Sequence, residues 1–160
     1  MTIQVGDKIP AASLTTMTAD GPGPVDTGEY FAGRKVVVFS VPGAFTPTCS
    51  AKHLPGFVEK ADDIKSKGID EIACFAVNDV FVMHAWGEGS AAAGKVTMLA
   101  DGNGDFTKAI GLEMDASGFG MGLRSKRFSM IVDDGTVTEL NVEEPGAFQV
   151  SSAEHALSQL

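Results

Sequence analysis

The sequence predicts an α/β fold, a central mixed β-sheet flanked by helices, with a β-hairpin laid ahead of it at the N-terminus. Two continuous β-branched and aromatic runs, residues 35–41 (KVVVFSV) and 71–77 (EIACFAV), have the pattern of strands buried on both faces. Between them Leu54, Phe57, Val58, Ala61 and Ile64 recur at three- and four-residue spacings, a helix period. A strand, helix, strand order implies a right-handed parallel crossover. Asp133-Asp134-Gly135 is hairpin-turn chemistry, which adds antiparallel strands and makes the sheet mixed.

Residues 11–17 read as a strand, and the breakers Ala19-Asp20-Gly21-Pro22-Gly23-Pro24 turn the chain into a short extended piece near Val25. Residues 35–41 form the central strand. After Pro42-Gly43-Ala44-Phe45-Thr46-Pro47 a helix is expected over 48–66, ended by Gly68. Residues 71–77 follow as a second buried strand. Asp79 can cap a helix through Trp86, residues 96–100 form a third strand, and Asp105 can cap a helix ending at Gly111. The next stretch, with Gly118-Phe119-Gly120-Met121-Gly122, is loop-like. Residues 127–133 and 136–142 make the C-terminal hairpin, and Ser151 with Glu154 forms a capping box for a short last helix. No repeat, linker or low-complexity tract interrupts the pattern.

The chain has 160 residues, the size of one compact domain spanning 1–160. Its formal net charge of -9 repels phosphate backbones and anionic lipid surfaces, so neither nucleic acid nor a membrane is an expected partner. The first ten residues carry no secretory apolar stretch, and the longest apolar run is far short of the roughly 20 residues of a membrane span. Two cysteines in a core-forming chain do not make a disulfide framework. They read as reduced thiols, and the protein as cytoplasmic.

Cys49 carries the chemistry. It follows a buried strand and sits in the first turn of the expected helix, where unpaired N–H groups and the positive end of the helix dipole stabilise a thiolate. Dithiol exchange would place Cys-x-x-Cys at this junction. Here the first slot is Thr46, so no local disulfide can form, and a single activated thiol stands beside a hydroxyl. A small buried cysteine at a helix start is the bland alternative.

The run from Val41 to Ser50, then His53-Leu54-Pro55-Gly56-Phe57, resembles the peroxiredoxin signature Pro-x-x-x-Thr-x-x-Cys in the form used by the type II branch. The likeness extends over Val77-Asn78-Asp79 with Phe81-Val82-Met83, the run 99–106 and Lys126-Arg127-Phe128-Ser129-Met130. It implies a thioredoxin-like fold and a thiol-dependent peroxidase acting on hydrogen peroxide and alkyl hydroperoxides without a cofactor. Cys49 would be the peroxidatic nucleophile and become a sulfenic acid. Thr46 would offer its hydroxyl to peroxide and sulfur, and Arg127 would hold the thiolate and the developing oxygen charge through its fork of donors. Pro42 would wall the sulfur from bulk water.

Two roles for Cys74 follow from the resemblance, because some type II members resolve the oxidised enzyme with a cysteine near this place and others leave it idle. A C-terminal resolving cysteine is absent. An internal disulfide needs Cα atoms within about 7 Å and a local unfolding, which favours an external reductant, either glutathione with glutaredoxin, or thioredoxin. His53, on the helix face of Cys49, is an accessory residue able to tune the thiolate. Phe45, Phe81 and Phe119 would form an apolar substrate entrance and the contact of a homodimer.

Asp101-Gly102-Asn103-Gly104-Asp105 begins like a calcium loop, but Phe106 and Leu112 stand where Gly and Glu are required. His84 and His155 have no ligand-spaced companions, so no metal is expected. The competing function is a non-enzymatic peroxide sensor or chaperone that uses the same oxidisable cysteine.

Overall fold

The computed structural model describes residues 2–160. Seven strands form one sheet: β1 (Ser13–Thr18), β2 (Gly21–Asp26), β3 (Lys35–Ser40), β4 (Glu71–Ala76), β5 (Thr97–Ala100), β8 (Phe128–Asp133) and β9 (Thr136–Val142), in the spatial order β2-β1-β5-β4-β3-β8-β9. β3, β4 and β5 are parallel neighbours. The outer pairs, including β3 with β8, are antiparallel. The N-terminal hairpin and the C-terminal hairpin therefore close the two edges of a parallel centre, as the mixed sheet requires.

The inner strands divide their side chains by the two-residue period of a pleat. Val37, Phe39 and Val41 of the β3 region, with Ile72, Cys74 and Ala76 of β4, join one core together with Cys49, Leu54, Phe57 and Trp86. Val36, Val38, Ala73 and Phe75 face the other core with Phe106, Phe128 and Met130. Burial on both faces is why these runs read as continuous apolar stretches. Phe39 stacks on Phe57 with centroids 4.1 Å apart, which seats the following helix on β3.

Several local expectations are corrected. The helix expected over 48–66 is three pieces: a π-helical turn at Cys49–His53, then α2 (Leu54–Glu59) and α3 (Ala61–Lys65). Pro55 has no N–H to return to the preceding turn, and the ladder widens just before it, with Leu54 N–H donating to Cys49 C=O. A short helix α1 (Thr27–Phe31), capped by Asp26, was not anticipated. α4 (Val80–Gly89) is capped by Asp79 as expected, and runs a turn beyond Trp86.

Asp105 does not cap α5 (Asp105–Ala109). The buried carboxylate of Asp101 does so, accepting from the N–H groups of Phe106 and Thr107, while Gly104 turns the chain at φ 75°. Within the segment read as loop, β6 (Glu113–Asp115) and β7 (Leu123–Ser125) form a small antiparallel sheet. The last helix α6 (Ala153–Ser158) is capped by Ser152, whose hydroxyl accepts from His155 N–H, and not by Ser151. Ser151 is claimed elsewhere: its N–H and its hydroxyl both donate to Glu143. Among the described residues no helix is long and apolar enough to cross a membrane.

Candidate active site

The site lies where the chain leaves the C-terminal end of β3. Residues 42–46 form a tight turn in which Phe45 takes a left-handed conformation, φ 65°. The turn is tied down by Ala44 N–H donating to Asn78 Oδ1 at 2.9 Å. Gly43 keeps room for a neighbouring side chain. A Cβ there would stand 2.8 Å from Nη1 of Arg124, whose guanidinium donates to the carbonyls of Met121 and Pro42. Ser50 N–H then closes onto Thr46 C=O and starts the helical turn that carries Cys49.

Cys49 is fully buried. Its Sγ lies 2.7 Å from Oγ1 of Thr46 and 3.0 Å from Nη2 of Arg127. Oγ1 of Thr46 is also 2.8 Å from Gly43 C=O. One hydroxyl proton serves these two acceptors, so the group can switch roles. With Cys49 protonated, the thiol donates to Oγ1 and the hydroxyl donates to Gly43; with a thiolate, the hydroxyl donates to sulfur. Such a group suits a reaction in which the charge on sulfur changes.

Arg127 immediately precedes β8, and the register Ser40↔Phe128 brings it beside the end of β3. Its Nη1 lies 2.8 Å from Nδ1 of His53, whose Nε2 lies 2.8 Å from Ser151 C=O. A carbonyl and a guanidinium on opposite sides of the ring leave one consistent assignment. Nε2–H donates to Ser151, and the Nδ1 lone pair accepts from Arg127. Burial and the neighbouring Arg127 charge push the His53 pKa down to about 3, against the weaker pull of the Ser151 bond. His53 is therefore neutral, and it packs among Phe39, Phe57 and Phe148. Its polar contact is with Arg127 and not with the sulfur, so an accessory role for it runs through the arginine.

Pro42, Thr46 and Arg127 line an open cavity of about 610 Å³, to which Phe119, Met114 and Met121 add apolar surface. Phe45, Phe81 and Phe119 are 60%, 64% and 85% exposed, large aromatics left in solvent, and of the three Phe119 lines this cavity. Trp86 is buried instead, and its Nε1–H donates to Ser50 Oγ at 3.0 Å, bracing the turn that holds Cys49.

Cys74 sits in β4, fully buried and free, on the sheet face that also packs Cys49. Burial pushes its thiol well up, and the Cys49 sulfur adds to the effect. It is thus a protonated core residue in the folded protein.

Three contributors escaped sequence reading. Glu143 and Ser151 are buried and bonded to each other behind His53, and Asn78 ties down the turn. Each is a common residue type with no spacing relation to Cys49. Asn78-Asp79 lay within the family-like run, the only hint for any of them.

The arrangement offers a buried sulfur with one hydroxyl and one fixed cation aimed at it, beneath an apolar mouth. A small electrophile seated there would have its reacting atom and its leaving oxygen within reach of preorganised donors.

A family model described as Redoxin matches residues 4–157. The chain is 54% identical to the chloroplastic peroxiredoxin-2E-2 of Oryza sativa subsp. japonica, over 99% of this chain and 73% of that protein. It is 49% identical to peroxiredoxin-2B of Arabidopsis thaliana, over 99% and 98%. Among solved structures, the reduced Prx3 of Vibrio vulnificus in complex with hydrogen peroxide superposes with a TM-score of 0.96 at 54% identity, covering 99% of each chain.

Proposed function

The chain belongs to the peroxiredoxin family, in its type II branch, and from that premise we propose a residue-level account of how it reduces hydroperoxides at the expense of thiols. The observation that carries the account is the convergence of Thr46 Oγ1 and Arg127 Nη2 on the buried sulfur of Cys49.

The Cys49 thiolate attacks the terminal peroxide oxygen. An S–O bond forms as the O–O bond breaks, and the electron pair of that bond leaves on the second oxygen, which takes a proton to become water or an alcohol. Cys49 is oxidised to the sulfenic acid and the peroxide is reduced. Arg127 supports the charge as it passes from sulfur to the leaving oxygen, and Thr46 accepts from the peroxide O–H or donates to oxygen as required. Pro42 limits water at the sulfur.

For the return half, a thiol condenses with the sulfenic acid, releasing water and forming a mixed disulfide, and a second thiol displaces Cys49. A glutathione and glutaredoxin system, or thioredoxin, suits this role better than Cys74, a protonated thiol locked in the sheet. Exposed Phe45, Phe81 and Phe119 suit an isologous homodimer contact, and the two free thiols suit a reducing compartment such as the cytosol.

Steady-state turnover of hydrogen peroxide and an alkyl hydroperoxide with added thiol tests the account. Catalytic turnover lost in Cys49→Ser is the expected result. A single stoichiometric reaction that then stops would favour the sensor reading, and turnover retained in Cys49→Ser would sink the assignment of Cys49.

A further inference from the structure

We propose that Glu143 is a positioning residue that sets the aim of the Arg127 guanidinium, acting from behind the site through the 149–151 backbone and His53; this rests on Arg127 working on the Cys49 sulfur as described above. Glu143 follows β9 directly and is 7% exposed, an unusual place for a carboxylate that pairs with no cation among the described residues.

Its Oε2 accepts from four donors: the N–H groups of Gln149, Val150 and Ser151 at 2.7, 2.8 and 2.8 Å, and the Ser151 hydroxyl at 2.7 Å. Three consecutive N–H groups converging on one point form a concavity that demands an anion. Burial opposes ionisation, but the Ser151, Gln149 and Val150 hydrogen bonds outweigh it and hold the carboxyl below its ordinary range. The charge is therefore present at neutral pH.

The segment pinned in this way touches the catalytic cation at two places. Ser151 C=O takes the Nε2–H of His53 and so turns the Nδ1 lone pair toward Arg127 Nη1. Phe148 lays its ring 5.0 Å from that of His53 and 5.8 Å from Cζ of Arg127. Glu143 also reaches Arg127 by its own backbone, its N–H donating to Arg127 C=O at 3.0 Å. One residue thus holds both the main chain of the arginine and the loop that orients its side-chain partner. With Nη1 engaged by His53, Nη2 is left pointing at Sγ.

The test compares Glu143→Ala, Glu143→Gln and Glu143→Asp, each alone and in an Arg127→Ala background. Two readouts are taken: the second-order rate with hydrogen peroxide, and the rate of Cys49 alkylation by iodoacetamide at pH 7. Misplacing the fork by an ångström should slow the peroxide reaction about ten- to hundred-fold in Glu143→Ala. Glu143→Gln, which keeps one acceptor at the same reach, should recover most of the rate. In the Arg127→Ala background the same changes should add less than about two-fold, because the arginine through which they act is gone.

An equal loss in both backgrounds would make Glu143 a loop brace only and overturn the proposal, as would a near wild-type rate in folded Glu143→Ala. If Glu143→Ala does not fold, Glu143→Asp, which keeps the charge but falls short of the nest, carries the same comparison. If no variant, wild type included, reacts with peroxide, the peroxidase account fails, while the alkylation rates still report whether Glu143 and Arg127 are coupled.

Discussion

Nη1 of Arg127 donates to Nδ1 of His53 at 2.8 Å, so a buried histidine serves as the acceptor for a guanidinium, a role open only to the neutral ring. Protonation would put a second positive charge against the first and a donor against a donor. Folding therefore selects the unprotonated form, in agreement with a His53 pKa pushed down to about 3 from an ordinary 6.5.

That depression makes stability depend on pH with a defined sign. Above pH 6.5 the ring is neutral in both states and its contribution is fully present. As pH falls from 6.5 toward 3 the unfolded chain binds a proton that the folded chain excludes, and stability is lost. Between pH 7 and pH 5 the loss from this group should be about 2 kcal/mol. Urea unfolding at the two pH values should show it in the wild type and show most of it gone in His53→Asn. An unchanged pH slope in that variant would mean that another group carries it.

Thr46→Val keeps the shape of the side chain and removes the hydroxyl that lies 2.7 Å from the sulfur. The rate with hydrogen peroxide should fall about 10²- to 10³-fold, the usual loss when one preorganised donor is deleted. Thr46→Ser should retain most of it. Stopped-flow measurement of the single oxidation step separates this loss from any effect on recycling.

Arg127 uses two nitrogens for two partners, Nη1 for His53 and Nη2 for Cys49. A lysine ammonium is a single point and cannot span both. We expect Arg127→Lys to lower kcat/KM for peroxide by about 10²-fold, with little change in far-UV circular dichroism. Near-normal activity would take Arg127 out of the site.

Cys74 is fully buried, with its thiol pushed well above its ordinary range. After one equivalent of peroxide, mass spectrometry should find one added oxygen on Cys49, or a glutathione adduct when glutathione is present. Loss of two hydrogens would indicate a Cys49–Cys74 disulfide and refute the external route. In Cys49→Ser, a colorimetric thiol reagent should find no reactive cysteine until denaturant is added.

The single tryptophan offers a probe of opening, since Trp86 Nε1–H is bonded to Ser50 beside Cys49. If formation of a mixed disulfide on Cys49 unwinds the π-helical turn, tryptophan emission should change on glutathionylation. Ser50→Ala, which lacks the bond from the start, should show a smaller change.

Much of the fold was legible because its signals are local. The runs in β3 and β4 are apolar on both faces, Asp79 caps at a three-residue spacing, and Asp134-Gly135 supplies the left-handed pair of a tight hairpin. Thr46 and Cys49 were legible together for the same reason, standing three positions apart on one turn. Where local rules failed, a more distant group had intervened. Ser151 has the spacing of a capping box, but Glu143 takes its N–H and hydroxyl, and the cap passes to Ser152. Asp105 stands at the head of α5, but the buried Asp101 carboxylate reaches its orphan N–H groups first.

Sequence by itself determined the α/β pattern and pointed to the candidate nucleophile, the hydroxyl beside it and, through the family likeness, the arginine that should join them. Tertiary structure alone decided what aims that arginine. His53, Ser151 and Glu143 lie far from Arg127 in the chain or face it only through the pairing of β8 with β3 and β9, and no periodicity encodes such a meeting. The physical reason is that backbone preferences act over a few residues, whereas a buried polar group must find its partner wherever packing brings one within hydrogen-bond reach.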